Sequence, residues 1–271
     1  MKELQYNFPQ IMGILNVTPD SFFDGNRYRT EQAVLNRVAQ MISEGADIID
    51  IGAFSSRPGA DFVSYKEERK RLMPFLKQIK KHFPQAILSI DTYRHQIAQE
   101  AIAEGAHIIN DISAGNLDPK MFETVAQLQV PYIMMHMQGQ PKNMQLNPQY
   151  NQVITDIMTF FEEKIAELNR LNFNQIILDP GFGFGKTLEQ NYEILQHLNR
   201  FNQLGYPVLV GLSRKSMLYK PLHIKPEEAL NATTVVHTIA LLQGAQILRV
   251  HDVKQAVETL KIVNLLHKKD D

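Results

Sequence analysis

The chain alternates short apolar runs with longer amphipathic segments. The apolar runs, of about five residues, are rich in Ile, Val and Leu and show little alternation with polar residues, which is typical of parallel strands buried on both faces. They occupy Ile11–Leu15, Ile48–Ile51, Ile87–Ile90, His107–Ile109, Tyr132–Met135, Gln175–Leu178, Val208–Val210 and Gln246–Val250. The pattern therefore predicts a parallel α/β fold in which each strand is followed by a polar or glycine-rich loop.

The segments between the runs have the spacing of amphipathic helices. They include Glu31–Glu44, Tyr65–Phe83, Tyr150–Leu171 and Pro226–Gln243. Gly45, Gly105 and Gly244 each stand just before the next apolar run, where a glycine commonly ends a helix. No Ser-, Gly- or Pro-rich linker divides the 271 residues, so we predict one domain over residues 1–271. The strand count leaves open both a closed barrel and an open doubly wound sheet.

The composition argues against several classes of protein and several kinds of site. The formal net charge is −1, which argues against a broad basic surface for nucleic acid. The chain contains no cysteine, so disulfides and cysteine–zinc sites are excluded. Residues Met1–Pro9 lack the apolar stretch of a signal peptide, and no apolar run reaches the roughly 18 residues of a membrane span. We therefore expect a soluble cytoplasmic protein without nucleic-acid or membrane partners.

Side chains able to hydrogen-bond follow the apolar runs, at the strand ends where barrel enzymes carry their active sites. They are Asn16, Asp50, Asp91, Asn110, Asp111, His136, Asp179, Ser213, Arg214, Lys215, Arg249 and His251. A single Asp after a strand is equally often a turn residue. The whole set predicts a ring with carboxylates and amides on one side and Lys, Arg and His on the other. Such a ring suits a ligand with a donor-rich ring and an anionic tail.

The loop after the sixth run is rich in glycine but matches no nucleotide-binding pattern. Pro180 stands where a Walker A loop has its first glycine, and Lys186 stands where a dinucleotide-binding loop has its third glycine. We therefore predict a loop whose Phe182 and Phe184 can stack on a ring. The nine histidines contain no His-Glu-x-x-His metal motif.

Taken together and in order, nine segments resemble the signatures of the dihydropteroate synthase family. They are Gly13–Phe22, Asp50–Gly52, Ser55–Ala60, Ser89–Thr92, Ile108–Asp111, Met135–Gly139, Leu178–Lys186, Ser213–Ser216 and Arg249–Val253. The resemblance implies a single-domain (β/α)8 TIM barrel. It also implies the condensation of 6-hydroxymethyl-7,8-dihydropterin pyrophosphate with p-aminobenzoate, with Mg²⁺ as cofactor, in a homodimer that sulfonamides inhibit.

The resemblance also implies a role for particular residues. The pterin-binding residues would be Asp91, Asn110, Met135, Asp179 and Lys215. The pyrophosphate would be bound by Asn16, Arg57, Arg249 and His251, with Asn16 contacting the metal. The p-aminobenzoate would be bound by Ser56, Arg57, Pro58, Phe184 and Ser213. The catalytic residues would be Asp91, Lys215, Arg249 and Asp24.

The chain departs from the family pattern mainly on the p-aminobenzoate side. Phe23 replaces a usual Ser in the first loop, and Phe54 and Ser56 replace a usual Glu and Thr in the second. The pterin side is intact. We therefore hypothesise that the bulk of Phe23 and Phe54 perturbs sulfonamide binding. An inhibition constant that is unchanged by Phe54→Glu would contradict this.

Two other functions share the pterin-binding carboxylates. A methyl-tetrahydrofolate-binding methyltransferase barrel would not need Arg249 and His251 for a pyrophosphate. A non-catalytic pterin-binding paralogue fits the altered loops but not the complete pyrophosphate side. Tight pterin binding without turnover would favour this second alternative.

Overall fold

The eight strands form a closed parallel barrel in the computed structural model, which describes residues 9–17, 31–53, 63–139, 144 and 148–267. The strands are β1 Gln10–Asn16, β2 Ile48–Gly52, β3 Ile87–Asp91, β4 Ile108–Asp111, β5 Tyr132–Met135, β6 Ile176–Asp179, β7 Leu209–Val210 and β8 Ile247–Val250. Their order is β6-β5-β4-β3-β2-β1-β8-β7. A parallel bridge between Leu178 and Val208 joins β6 to the start of β7. This bridge closes the barrel and decides between the two folds that the strand count left open.

The helices surround the barrel. They are α1 Glu31–Glu44, α2 Tyr65–His82, α3 His95–Ala103, α4 Met121–Leu128, α5 Val153–Arg170, α6 Leu188–Gln196, α7 Ser216–Tyr219, α8 Leu230–Leu242 and α9 Val253–His267. The described part of the chain contains no helix that is both long and apolar enough to cross a membrane. The glycines Gly45, Gly105 and Gly244 follow helix ends with φ of +99°, +96° and +88°, which confirms the helix-ending role predicted for them.

Two predicted helices have different bounds in the structure. The segment predicted at Tyr150–Leu171 becomes helical only at Val153. The segment predicted at Pro226–Gln243 is divided into a 3₁₀ turn at Pro226–Glu228 and the helix α8. The division has a physical cause, because the carbonyls of Pro226 and Glu227 accept hydrogen bonds from the Arg214 guanidinium and are turned toward it.

The inside of the barrel has an apolar layer at one end and a polar layer above it. Each strand contributes one residue to the apolar layer, which consists of Met12, Ile48, Ile87, Ile108, Ile133, Ile177, Leu209 and Ile247. Side chains along a strand alternate between its two faces, so residues two positions farther along point inward as well. Those residues include Asp50, Ser89, Asn110, Met135, Asp179 and Arg249. The alternation therefore builds a polar cup, at the carboxyl ends of the strands, on an apolar floor.

Candidate active site

Arg249 lies between two carboxylates in the cup. Its Nε donates to Asp50 Oδ2 at 2.7 Å and its Nη2 donates to Asp91 Oδ2 at 2.8 Å. Burial acts to lower the pKa of Arg249, but the Asp50 and Asp91 carboxylates hold it above its usual value. The prediction that carboxylates and cations occupy opposite sides of the ring is therefore wrong for Arg249. The reason is that β8 pairs with β1, which in turn pairs with β2, and this strand order cannot be read from spacing.

Asp50, predicted as a strand-end residue of the ring but without a role in binding or catalysis, is a shared acceptor in the cup. It is fully buried, and it accepts hydrogen bonds from Ser89 Oγ at 2.6 Å and from Asn110 Nδ2 at 3.1 Å, besides that from Arg249. The spacing of residues along the strand could have indicated that Asp50 faces the inside of the barrel. Asp50 and Ser89 stand two positions after inward-facing apolar residues of their strands, as Asn110 does.

Asp91 combines deep burial with an unused hydrogen-bonding atom. Its Oδ1 has no hydrogen-bond partner among the described residues. Burial raises the pKa of Asp91 to about 7 even though Arg249 favours the ionised form. A buried acceptor without a donor is costly, so this oxygen is suited to an N–H group supplied by a ligand.

Asp179 and Lys215 lie at the ends of neighbouring strands. Asp179 Oδ1 accepts a hydrogen bond from the Gly181 N–H at 2.8 Å, and burial raises the pKa of Asp179. Lys215 Nζ donates to the Phe182 carbonyl and lies 4.3 Å from the centroid of the Phe184 ring. Burial lowers the pKa of Lys215 to about 8, although Asp179 opposes this shift. An acceptor and a cation with displaced pKa values thus face the same region of the cup.

Met135 and Phe184 contribute an apolar wall. Met135 packs with the buried Ile112, and Phe184 packs against this pair. Phe182 is fully buried in the main hydrophobic core instead, so the prediction that it can stack on a ligand is wrong. Alternation in a glycine-rich loop does not reveal which aromatic residue faces the core. Phe184 keeps its predicted place, with a cation already over its ring.

The loop after β6 is held by a buried lysine. Lys186 Nζ donates to the carbonyls of Gly181 at 2.9 Å, Phe184 at 3.0 Å and His136 at 3.3 Å. Burial holds the pKa of Lys186 well below its usual value. Lys186 therefore fixes the loop that presents Phe184 and the Phe182 carbonyl, rather than binding a phosphate as a Walker lysine does.

The ends of β7 and β8 are joined at the rim of the cup. Ser213 is buried, and its Oγ accepts a hydrogen bond from the His251 N–H at 3.2 Å. The His251 carbonyl accepts a hydrogen bond from Arg37 Nη2 of α1 at 2.7 Å. Ser213 and His251 are thereby fixed next to each other at the strand ends.

Asn16 and Asp91 flank Gly52 at another part of the rim. A Cβ atom at Gly52 would lie 3.5 Å from Asp91 Oδ2 and 3.6 Å from Asn16 Oδ1, so the absence of a side chain leaves these two oxygens close to one point. Four residues named in the sequence analysis, Asp24, Ser56, Arg57 and Pro58, lie outside the described residues, as do Phe23 and Phe54.

The fold and the cup define a (β/α)8-barrel enzyme whose site combines buried acceptors, an apolar wall and cations. The model of the family described as "Pterin binding enzyme" matches residues 12–251. The dihydropteroate synthase of Escherichia coli K12 is 42% identical over 96% of this chain and 92% of its own length. That of Haemophilus influenzae is 43% identical over 96% of this chain and 95% of its own length. The chain therefore belongs to the dihydropteroate synthase family of pterin-binding enzymes.

Solved structures of the family have the same barrel. A Yersinia pestis dihydropteroate synthase in a sulfonamide drug complex matches with a TM-score of 0.92 and 44% identity, over 96% of this chain and 94% of that one. A Xanthomonas albilineans dihydropteroate synthase with 4-aminobenzoic acid matches with a TM-score of 0.89 and 36% identity, over 97% and 95%. The predicted fold, a single-domain (β/α)8 TIM barrel, is thereby confirmed.

Proposed function

We propose that the chain condenses 6-hydroxymethyl-7,8-dihydropterin pyrophosphate with p-aminobenzoate to form 7,8-dihydropteroate and pyrophosphate. The observation that carries the proposal is the polar cup, in which Asp91, Asn110, Asp179 and Arg249 meet above the apolar floor in a chain of this family. The two alternative functions share the carboxylates, but neither has a use for a cation beside Asp91.

The pterin ring would bind at the bottom of the cup. It presents N–H donors beside a ring carbonyl, so Asp179 and Asp91 would accept hydrogen bonds from it. Each such charge-assisted bond contributes about 1.5–3 kcal/mol. The unpartnered Oδ1 of Asp91 supports this assignment. Asn110 and Met135 would contact the ring edge and face, and Lys215 would donate to the ring carbonyl or a ring nitrogen.

The chemistry would be led by departure of the pyrophosphate, because an aromatic amine is a weak nucleophile. The bond between the methylene carbon and oxygen breaks, and the oxygen leaves with the electron pair. The positive charge is spread over the pterin ring, where Asp91 stabilises it. The amine nitrogen of p-aminobenzoate then bonds to the methylene carbon and releases a proton. Arg249 and His251 would bind the leaving pyrophosphate, and water must be excluded because it would also trap the cation.

A magnesium ion would assist the leaving group. No group of three or more His, Cys, Asp or Glu that could hold a metal occurs among the described residues. Mg²⁺ that is bound chiefly by substrate phosphates needs only one or two protein oxygens, and the Asn16 amide oxygen beside Gly52 fits this requirement. When bound, the ion would neutralise charge that develops on the pyrophosphate.

The p-aminobenzoate would bind nearer the mouth of the cup. Phe184, with Lys215 over its ring, supports a stacking contact there, and Ser213 would contact the carboxylate. The p-aminobenzoate side of the site would be completed by Ser56, Arg57, Pro58 and Asp24. Sulfonamides that imitate p-aminobenzoate would compete for the same place.

A coupled assay tests the proposal. Purified protein is mixed with both substrates and Mg²⁺, and dihydropteroate and pyrophosphate are measured together. We expect equal amounts of the two products, and a loss of about 10²–10³-fold in kcat for Asp91→Asn. Asp118→Asn, which alters a carboxylate that accepts hydrogen bonds from His95 and Lys120 and from no described residue of the cup, is the matched control and should stay active. Pterin binding without either product would support the non-catalytic paralogue instead.

A homodimer is part of this proposal. Six large apolar side chains are exposed on α8 and α9, namely Val235, Ile239, Leu242, Ile262, Leu265 and Leu266. Val235, Ile239 and Leu242 follow the i, i+4, i+7 spacing of one helix face. An exposed apolar face of this kind is typical of a surface that another protein covers, and it supports a second copy of the chain as the partner.

A further inference from the structure

Arg214 has an unusual backbone conformation between two residues of the proposed site. Its φ is +55°, in the left-handed region that side chains other than glycine rarely adopt. Ser213 precedes it and Lys215 follows it. A left-handed residue turns the chain sharply. The two side chains on either side of this turn therefore point in different directions. Lys215 donates to the Phe182 carbonyl, and Ser213 accepts from His251 at the end of β8.

Contacts on three sides hold this conformation. The Arg214 N–H donates to Thr233 Oγ1 of α8 at 3.1 Å. The guanidinium makes a bidentate pair with Asp252, in which Nε and Nη2 each lie 2.7 Å from a carboxylate oxygen. Its Nη1 donates to the carbonyl of Glu227 at 2.7 Å. The geometry matches the fork of an arginine and not the single ammonium of a lysine.

Asp252 directly follows His251, so the pair fastens the loop after β7 to the loop after β8. The hydrogen bond from the His251 N–H to Ser213 Oγ is a second link between the same two loops. The pair itself is largely buried, with side-chain exposures of 11% for Arg214 and 19% for Asp252, which protects it from screening by solvent.

We propose that Arg214, with Asp252 as its counter-ion, is a positioning residue that sets Lys215 and Ser213 against Arg249 and His251. Arg214 contacts no reacting atom in this proposal, and the inference rests on the proposed function of the site. Because a misplacement of about 1 Å can reduce a rate about 10²-fold, loosening the loop would impair catalysis while the fold is kept.

Three variants separate the possible roles of Arg214. Arg214→Lys keeps the charge but loses the bidentate pair. Asp252→Asn keeps the shape but loses the counter-ion. Arg214→Gly adopts the left-handed conformation easily but has no guanidinium. Arg71→Lys, which alters a partly exposed pair with Glu67 on α2, is the matched control.

The readouts are kcat and KM for both substrates, the Kd of the pterin substrate by calorimetry, and the ratio of dihydropteroate to released pyrophosphate. We expect a decrease of about 10–10²-fold in kcat/KM for all three variants, with a ratio below one, because a misplaced amine lets water capture the pterin cation. Arg214→Lys and Asp252→Asn should be non-additive in combination. Denaturant unfolding shows whether each variant is folded under the assay conditions.

Two results would overturn the inference. The first is a full set of folded variants with unchanged kinetic constants and product ratio, which would leave Arg214 with a role in stability alone. The second is full activity of Arg214→Gly, which would mean that the backbone conformation suffices. If the unmodified protein binds the pterin but does not turn over, the proposed function fails separately. In that case a weaker pterin Kd for Arg214→Lys still supports the inference, and an unchanged Kd contradicts it.

Discussion

Charge balance in the cup is set by a few residues. One guanidinium, that of Arg249, is shared by the carboxylates of Asp50 and Asp91. The arrangement leaves an excess of acceptors over donors, which suits a ligand rich in N–H groups. Because the two carboxylates are buried, removing Arg249 would leave both without a cation and cost several kcal/mol, about 3–5 by analogy with other buried pairs.

The pH dependence of kcat/KM for the pterin substrate should report the ionisation of Asp91 and of Lys215. Burial raises the pKa of Asp91 to about 7, so its ionised form, and with it activity, is lost as the pH falls below that value. Burial lowers the pKa of Lys215 to about 8, so its charged form is lost as the pH rises above that value. We therefore expect a bell-shaped profile with its maximum between these limits.

Lys215→Arg provides the control for the pH profile. An arginine remains charged throughout the accessible range, so the alkaline limb should move upward or disappear while the acidic limb stays. Steady-state rates at constant ionic strength between pH 5.5 and pH 9.5 would give the profile, with these limits chosen to span about 1.5 units beyond each pKa. A flat profile would contradict the assigned roles of both residues.

At this scale the sequence predicts which residues lie at strand ends, but not their partners. The described positions of Asp91, Asn110, Met135, Asp179, Lys215 and Arg249 agree with a common site. The pairing of Arg249 with Asp50 joins residues 199 positions apart, and no local pattern contains that information. The prediction that Phe182 stacks on a ligand is wrong for a related reason, because the core that buries it is formed by residues distant in sequence.

The loop after β6 shows how an element can be fixed by a few contacts. Gly181 has a φ of +70°, and a Cβ atom there would collide with the His136 carbonyl oxygen. The same residue donates to Asp179 and accepts from Lys186. The glycine is therefore required both by its backbone conformation and by the close approach of another strand end.

Gly181→Ala should disrupt this loop. We expect weaker pterin binding, because Asp179 loses its fixed neighbour, and a lower free energy of unfolding, measured by calorimetry and urea unfolding. Gly205→Ala is the matched control. Gly205 also has a left-handed φ, of +79°, but a Cβ atom there would meet nothing within 4 Å, so only the backbone strain of about 1–2 kcal/mol should appear. Equal effects of the two substitutions would show that the collision is unimportant.

Element boundaries were predicted less well than the elements themselves. The helix predicted from Pro226 begins at Leu230, because the carbonyls before it are held by a side chain of another loop. The strand predicted at Val208–Val210 is shortened to Leu209–Val210, with Val208 contributing a single bridge to β6. In both places contacts distant in sequence decide where a regular element starts, and local patterns cannot supply them.

Among the residues that the structure describes, α8 and α9 carry a conspicuous group of exposed apolar side chains. The most exposed of them are Leu266 at 68%, Ile262 at 64% and Leu265 at 60% on α9, and Leu242 is 52% exposed on α8. The helices α8 and α9 pack against each other, so these exposed side chains lie on two adjoining helices. Burial of apolar surface contributes about 25 cal/mol per Å², so covering these side chains would stabilise the homodimer proposed above.

Leu242→Glu should convert a dimer to a monomer. A carboxylate placed in an apolar interface would have to lose its hydration without gaining a partner. Analytical ultracentrifugation of the two proteins over a range of concentrations would measure the change. Leu171→Glu, at the end of α5 with 37% exposure, is the matched control and should behave like the unmodified chain. A monomeric unmodified chain would contradict the homodimer.

At the scale of the molecule, the repeat of strands and helices predicts the α/β class and the number of strands. It does not predict closure, which depends on the bridge between Leu178 of β6 and Val208 just before β7. The periodicity is compatible with both a closed barrel and an open sheet, and only the family resemblance favours the barrel. The relative placement of the strand ends, and hence the cup, follows once the barrel is closed.

The apolar floor of the barrel makes the site a blind pocket. One large side chain from every strand fills the far end of the barrel. Substrates and products must therefore enter and leave through the opposite end. A molecule seated against the floor is then trapped until whatever lies above it has gone. Binding would therefore be ordered, because the molecule that enters first, against the floor, is the last that can leave.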